Sequence, residues 1–112
     1  MFKKKVKKIK LCSRAAFEAL EENKLYPLKK EGYNLLYFKH KGACYVFKNK
    51  CPHQGYAFDG GYCSEAGKLV CPIHQYGFDI ENGRGAGTAA RKYESLLEED
   101  TYYALVDYVG LF

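Results

Sequence analysis

Two short stretches determine what this chain folds around. The first reads Cys51-Pro52-His53-Gln54-Gly55. After a spacing of seventeen residues from His53, the second reads Cys71-Pro72-Ile73-His74-Gln75-Tyr76-Gly77-Phe78-Asp79. Each stretch offers one thiol and one imidazole. Thiolates suit zinc and iron–sulfur clusters, and imidazole binds either zinc or iron. The pattern therefore predicts a metal centre held by Cys51, His53, Cys71 and His74.

The rest of the composition favours one β-rich domain. The chain has 112 residues, which is close to the commonest domain size. Eleven tyrosines and seven phenylalanines, with no tryptophan, favour strands. A hydrophobic fraction of 47% and a charged fraction of 28% are typical of a globular protein rather than a disordered one. We therefore expect a single domain over residues 1–112.

Alternating patterns and turn residues outline the elements. They predict a strand over 5–11, a short helix with Ser13 as its N-cap, strands over 24–29, 33–39, 43–48 and 68–70, and two closing strands over 93–98 and 102–108. Many short strands at regular spacing favour an antiparallel β-sandwich or barrel. We expect its base over about 1–49 and 80–112. A smaller subdomain that carries the predicted metal centre is expected over about 50–79.

The positive charge is concentrated at the N-terminus. The net charge is +5, but six of the 18 basic residues lie in the first ten positions, and the remaining 12 face 13 acidic residues, or about −1. Such a lysine cluster can attract nucleic acid or anionic lipid. Val6, Ile9 and Leu11 are interspersed among the lysines, which favours a first strand with a lysine-rich solvent side. We therefore expect no nucleic-acid partner.

Apolar runs and cysteine usage indicate a cytoplasmic protein without a membrane segment. No apolar run approaches a membrane span, and no secretory h-region follows the lysines. An odd count of five cysteines suits metal ligands and buried thiols better than a disulfide scaffold. Cys44 is expected to be a buried inert thiol, and Cys63 is not expected to be a ligand. His40, at a hairpin turn beside lysines, is expected to be solvated.

The ligand types alone are also compatible with a zinc site or with a disulfide. Two thiols and two imidazoles can also form a tetrahedral zinc site, and Cys51 and Cys71 could instead pair as a disulfide. Gln54-Gly55, Gly60-Gly61 and Phe78-Asp79 surround the candidate ligands, and a small zinc module would not need them. The surroundings therefore favour an iron–sulfur cluster.

The paired stretches resemble the Rieske motif C-x-H-x(15–17)-C-x2-H at all four ligand positions. The resemblance implies one [2Fe–2S] cluster, with Cys51 and Cys71 on the inner iron. It places His53 and His74 on the outer iron, close to solvent, where the electron enters and leaves. Two neutral imidazoles in place of two thiolates remove negative charge from the cluster, so they raise its reduction potential above that of an all-cysteine ferredoxin.

Departures from the membrane-bound Rieske proteins refine the resemblance. Those proteins carry an extra disulfide-forming cysteine in each loop, where this chain has Tyr56 and Ile73. They also carry a serine and a tyrosine whose hydroxyls raise the potential, where this chain has Tyr76 and Phe78. The chain thus looks like the soluble Rieske ferredoxins of ring-hydroxylating oxygenases. We predict a potential in the lower half of the Rieske range of about −150 to +300 mV.

The function that this resemblance implies is electron transfer rather than catalysis. A reductase would deliver one electron, and an oxygenase-type protein would accept it. No Ser/His/Asp set, paired-carboxylate site or nucleotide fingerprint is visible in the sequence. Two alternatives stay open: a small redox subunit similar to that of nitrite reductase, and a zinc-stabilised binding module.

One loop departs from the family pattern. The family commonly covers its cluster with a third loop that contains proline, and the stretch from Gly83 to Ala90 has none. Its glycines either let the backbone approach the cluster or form a plain turn.

Overall fold

The computed structural model describes residues 2–52, 55–73 and 75–111, with side chains described from residue 6 to residue 106 outside those gaps. The elements are β1 (Phe2–Ser13), α1 (Arg14–Glu18), β2 (Tyr26–Lys30), β3 (Tyr33–His40), β4 (Ala43–Lys48), β5 (Tyr62–Cys63), β6 (Lys68–Val70), β7 (Gly77–Asp79), β8 (Arg84–Gly85), β9 (Thr88–Ala89), β10 (Lys92–Glu98) and β11 (Thr101–Leu111). All the strand pairs are antiparallel. The predicted all-β, antiparallel fold class with one short helix is confirmed.

Six strands form a curled sheet in the order β1-β11-β10-β4-β3-β2. Side chains link its two edges, since Lys30 Nζ donates to the Lys10 carbonyl at 3.4 Å and Lys7 pairs with Glu31 at 2.8 Å. The curled sheet is therefore a barrel whose seam is joined by side chains. The barrel core consists of five buried residues: Ile9, Leu35, Val46, Ala104 and Val106.

The short helix α1 packs against β1 and β11. The Ser13 hydroxyl accepts the Ala16 backbone N–H at 3.1 Å, so the predicted N-cap is confirmed. Phe17, fully buried, lies 4.3 Å from the Tyr102 ring, which anchors α1 to the barrel. Among the described residues no helix reaches the length and apolarity that crossing a membrane requires.

The central strands β3 and β4 bury both faces. Leu35 and Val46 point into the barrel core, whereas Leu36, Phe38 and Phe47 lie on the other face. That other face packs against a three-stranded sheet in the order β5-β6-β7. The resulting second core consists of Leu36, Phe38, Phe47, Cys51, Phe58, Cys63, Leu69, Cys71, Phe78, Ile80 and Ala90. This packing explains why β3 lacks simple alternation between buried and exposed positions.

Most predicted elements are present with shifted ends, but some features were missed. The strand β5 lies within the expected subdomain at a position where no strand was predicted, and the hairpin β8–β9 lies within the stretch from Gly83 to Ala90. Strands of two residues carry too little pattern to be read from a sequence. The predicted N-terminal strand is confirmed as β1, while the side chains of its first residues lie outside the described part.

Two side-chain environments also differ from expectation. The prediction that His40 is solvated was wrong, because the side chain is only 7% exposed. It ends β3 on the same face as Phe38, so the strand direction carries it into the contact with the second sheet. Cys44 is partly rather than fully buried, and burial raises the pKa of its thiol to about 12.

Candidate metal centre

Two cysteine loops of matching construction form the site. The first cysteine loop covers residues 51–56 and the second covers residues 71–76. In each, the backbone N–H of the cysteine donates to the carbonyl of the tyrosine five residues later, at 2.6 Å from Cys51 to Tyr56 and 2.9 Å from Cys71 to Tyr76. The residue before each tyrosine has a left-handed φ, 77° and 57° respectively. Both loops therefore make the same tight return and present their cysteines in the same way.

The two cysteines lie side by side in the second core. Cys51 is 2% exposed and Cys71 is 1% exposed. Burial raises the pKa of the Cys71 thiol, and a hydrogen bond with Cys51 raises it further, while a hydrogen bond from the backbone N–H of Ile73 acts in the opposite direction. A pair of adjacent buried thiols with a backbone donor nearby fits two thiolates that share one iron.

Close backbone approach holds the two loops together. A Cβ on Gly61 would lie 2.1 Å from the Val70 carbonyl oxygen and 3.2 Å from Pro72 Cδ, so only glycine fits here without displacement. Asn49, which is 4% exposed, accepts the Phe58 N–H at 2.7 Å and donates to Asp59 at 2.7 Å. These contacts fix the segment that follows the first loop against the start of the second.

The hairpin β8–β9 packs beside the second cysteine loop. A Cβ on Gly85 would lie 2.1 Å from the Gly77 carbonyl oxygen and 3.0 Å from Phe78 Cα. Gly77 begins β7 directly after that loop. Gly85 therefore packs against the backbone of β7, and Ala86-Gly87 form the turn of the hairpin.

The structure describes half of the predicted ligand set. It brings Cys51 and Cys71 together, whereas His53, Gln54 and His74 lie outside the described residues. Within the described part of the chain, no three His, Cys, Asp or Glu side chains converge as a metal site. Two described side chains of the cysteine loops are exposed: Tyr56 at 54% and Ile73 at 38%.

A polar contact that the sequence analysis missed joins the two sheets. His40 Nδ1 lies 2.7 Å from Asn23 Oδ1 and 3.6 Å from Cys63 Sγ. The Cys63 backbone N–H also donates to the Asn23 carbonyl at 3.0 Å. Burial first, then Glu22 and Glu65, raise the pKa of the Cys63 thiol to about 11. Cys63 is thus a neutral packing group, and nothing in the local sequence pattern signals this contact.

A family model for the Rieske [2Fe-2S] domain matches residues 8–98. The chain belongs to the Rieske [2Fe–2S] domain family. The cofactor of this domain is one [2Fe–2S] cluster. The matched range includes both cysteine loops and most of the barrel.

Individual relatives of this Rieske domain fall into two groups. The ferredoxin component of the alkene monooxygenase system of Xanthobacter autotrophicus (strain ATCC BAA-1158 / Py2) is 33% identical over 57 residues, which is 51% of this chain and 47% of that protein. The alignment thus spans about half of that relative. Among solved structures, the ferredoxin of carbazole 1,9a-dioxygenase from Nocardioides aromaticivorans IC177 superposes with a TM-score of 0.75 at 16% identity, covering 87% of this chain and 95% of its own.

A nitrite reductase NADPH small-subunit oxidoreductase protein superposes with a TM-score of 0.71 at 15% identity, covering 89% of this chain and 99% of its own. At such identities the solved structures show a shared fold. They do not distinguish one redox system from another.

Residue 78 brings no hydroxyl group to the second core of this Rieske domain. Phe78 is fully buried and packs edge-on against Phe58, with ring centroids 5.9 Å apart. It has no hydroxyl to donate. Tyr76 is partly buried against the same core. Residue 78 therefore contributes dry packing beside the cysteines rather than a hydrogen bond.

Proposed function

We propose that this chain carries single electrons on one [2Fe–2S] cluster bound by Cys51, His53, Cys71 and His74. The observation that carries the proposal is the pairing of two buried thiols at equivalent points of two matching loops. The two histidines follow their cysteines at the spacing of the Rieske motif, which supports their assignment. When bound, such a cluster takes up and releases one electron.

The residues around the thiols have separate roles in this proposal. Cys51 and Cys71 hold the buried side of the cluster. The backbone N–H of Ile73 stabilises negative charge on the Cys71 sulfur. Phe58 and Phe78 exclude water from the second core. We place the histidine side of the cluster towards the exposed Tyr56, where an electron would enter and leave.

The same proposal covers the architecture and the compartment. We propose one domain over residues 1–112, with a cluster-binding subdomain over about 50–79. The three-stranded sheet β5-β6-β7 within that range supports this division. All five cysteines are free, which suits the reducing cytoplasm.

We propose an electron-donating reductase and an electron-accepting oxygenase as the partners, with this chain acting as a carrier and not as the catalyst. The 33% identity to an alkene monooxygenase ferredoxin component supports this assignment. A second candidate is a small redox subunit of a nitrite-reductase type, the kind of protein that one of the structures with this fold is named as. Co-purification of the tagged chain from its own cell extract separates the two, because each predicts a different bound protein.

The cofactor is tested on protein purified without oxygen. Iron, acid-labile sulfide and zinc are measured, together with the visible spectrum and the electron paramagnetic resonance signal after reduction with dithionite. We expect about two irons and two sulfides for each chain and a Rieske-type signal. A folded, colourless protein that contains zinc would establish the zinc-stabilised binding module instead.

The ligands are tested by substitution of three histidines. We expect His53→Ala and His74→Ala each to abolish the Rieske-type signal. His40→Ala is the matched control, because His40 lies outside the motif and its imidazole contacts Asn23 and Cys63. Circular dichroism confirms that each variant is folded. A Rieske-type signal in folded His74→Ala would remove His74 from the ligand set.

A measurement of the reduction potential tests the inference drawn from Tyr76 and Phe78, which stand where other Rieske proteins carry hydroxyl donors. Because residue 78 cannot donate a hydrogen bond, we expect a potential in the lower half of the range of about −150 to +300 mV. Protein-film voltammetry measures it directly. A potential above about +150 mV would contradict the prediction and imply another strong donor near the cluster.

A further inference from the structure

The count of charges in the segment around the cysteine loops does not predict a positive surface. Residues 50–85 contain three lysines or arginines and four aspartates or glutamates. The positions of these side chains matter more than their number, because exposed charges act over about 10 Å at ordinary salt.

Three of the four carboxylates are held against the barrel. Asp59 accepts from Asn49 at 2.7 Å, Glu65 from Asn23 at 3.2 Å, and Glu81 from the Tyr45 hydroxyl at 2.5 Å. These three partners lie on β4, directly after it, or in the connection before β2. Each of these three carboxylates therefore has a neutral hydrogen-bond donor outside the segment, and none of the three is a partner of Lys50 or Arg84.

The fourth carboxylate faces a cation of its own segment. Asp79 lies 3.9 Å from Lys68 and accepts the Glu81 backbone N–H at 2.8 Å. Both residues of this pair lie in the three-stranded sheet. The other two cations of the segment, Lys50 and Arg84, take no part in this pair.

Lys50 and Arg84 flank the cysteine loops. Lys50 directly precedes Cys51, and its Cε lies 3.5 Å from the position of a Cβ on Gly55. Arg84 begins the hairpin that packs beside the second loop. Both residues are exposed, and within residues 2–52, 55–73 and 75–111 neither side chain has an ion-pair or hydrogen-bond partner.

Two exposed apolar side chains lie in the cysteine loops themselves. Tyr56 closes the first cysteine loop at 54% exposure, and Ile73 lies in the second at 38%. Exposed tyrosines at the centre of a contact often supply much of its binding energy. We call Lys50, Tyr56, Ile73 and Arg84 the tip of the molecule.

We propose that the tip docks onto the acidic rim around the electron-accepting centre of a redox partner protein, with Tyr56 and Ile73 forming the dry contact and Lys50 and Arg84 facing carboxylates. The inference rests on the proposed function and adds the charge of the partner surface. Complementary charges of this kind raise association rates about 10- to 1,000-fold and lose their effect as salt rises.

The lysines of β1 are not expected to attract an acidic partner to the tip as Lys50 and Arg84 do. Its described lysines include two with carboxylate partners, Lys7 with Glu31 at 2.8 Å and Lys8 with Glu98 at 2.6 Å. The strand also lies on the barrel edge, outside both cysteine loops. It contributes to the net charge of the whole chain, and a control must therefore hold the net charge constant.

The test uses the reduced holoprotein and two redox proteins of opposite charge. Stopped-flow absorbance follows oxidation by an acidic blue-copper protein and by a basic c-type cytochrome between about 0.01 and 0.2 M salt. We expect the rate with the acidic protein to fall about tenfold or more over this range. The rate with the basic protein should not fall.

Two double variants carry the same change in net charge. Lys50→Glu with Arg84→Glu should slow oxidation by the acidic protein about tenfold and reverse the salt dependence. Lys10→Glu with Lys29→Glu, two exposed lysines on β1 and β2, should slow it by less than about twofold. Unchanged visible spectra and circular dichroism establish that both variants are loaded and folded.

The outcomes separate this inference from the proposed function. Equal slowing by both double variants would overturn it, because net charge alone would then explain the rates. Oxidation that is fastest with the basic protein at low salt would also overturn it. Failure of the wild-type protein to bind a cluster, or to reduce either acceptor, would instead refute the proposed electron carrier.

Discussion

The barrel core and the second core are built from different chemistry although they share β3 and β4. The barrel core is aliphatic, and long strands supply its residues. The second core packs phenylalanines around three buried thiols, and the strands β5, β6 and β7 beside it are only two or three residues long. Short strands with few ladder hydrogen bonds give little independent stability. We therefore expect the barrel to fold on packing alone and the three-stranded sheet to depend on the bound cofactor for part of its stability.

The largest expected effect comes from removing one thiolate, which should change the three-stranded sheet much more than the barrel. Cys71→Ser should prevent cluster assembly, because a hydroxyl is a poor substitute for a soft thiolate ligand. Hydrogen exchange should then become about 100-fold faster or more in β5–β7 and stay slow in β3 and β4, since metal binding and local folding are coupled. Exchange measured by mass spectrometry, alongside iron content, tests both parts.

The matched control for that variant is Cys44→Ser, which alters a partly buried thiol on the barrel side. It should retain iron and the exchange pattern of the wild type. Loss of protection throughout the barrel in Cys71→Ser would show that the two regions are one cooperative unit.

The next effect compares one large side chain from each core. Phe78→Ala should lower the free energy of unfolding by about 3–5 kcal/mol, and Leu35→Ala by about 2–5 kcal/mol. Only Phe78→Ala should also hasten bleaching of the visible spectrum by an iron chelator, because Phe78 belongs to the core that holds the cysteines. Denaturation of the holoproteins gives the first quantity and chelator kinetics the second. Equal bleaching rates would argue against the separation of the two cores.

A smaller effect concerns the hairpin β8–β9. Gly85→Ala places a methyl group where the Gly77 carbonyl lies, so we expect a loss of about 1–3 kcal/mol and faster bleaching. Gly87→Ala is the control in the same hairpin: its φ is 77°, but the added methyl meets no atom within 4 Å. It should cost about 1–2 kcal/mol of backbone strain and leave the bleaching rate unchanged. Identical bleaching in the two variants would show that the hairpin does not protect the site.

The last comparison tests the polar link between the two sheets. Asn23→Ala removes the side-chain contacts with His40 and Glu65 and places alanine at a φ of 66°. We expect a loss of about 1–3 kcal/mol in thermal or chemical unfolding. Asn23→Gly relieves the backbone strain but not the lost contacts, so it should recover only part of that loss. Full recovery by glycine would mean that the side-chain hydrogen bonds add nothing.

Much of this molecule follows from local sequence features. The Cys-x-His and Cys-x2-His spacings identify the ligand candidates, since ligand type and spacing are properties of short segments. Ser13 as an N-cap and the turns at Lys41-Gly42 and Glu99-Asp100 were equally predictable, because each depends on a few neighbouring residues. The antiparallel β architecture followed from the number and spacing of the strands.

Only the tertiary structure decided how those segments meet. The prediction that His40 is solvated failed because the three-stranded sheet, distant in sequence, covers the end of β3. The close fits of Gly61 and Gly85 likewise depend on carbonyls of other segments. The placement of the carboxylates of Asp59, Glu65 and Glu81 depends on hydrogen bonds between residues 10 to 42 positions apart. Sequence patterns report local geometry and ligand chemistry, whereas burial and surface charge are set by which distant segments come into contact.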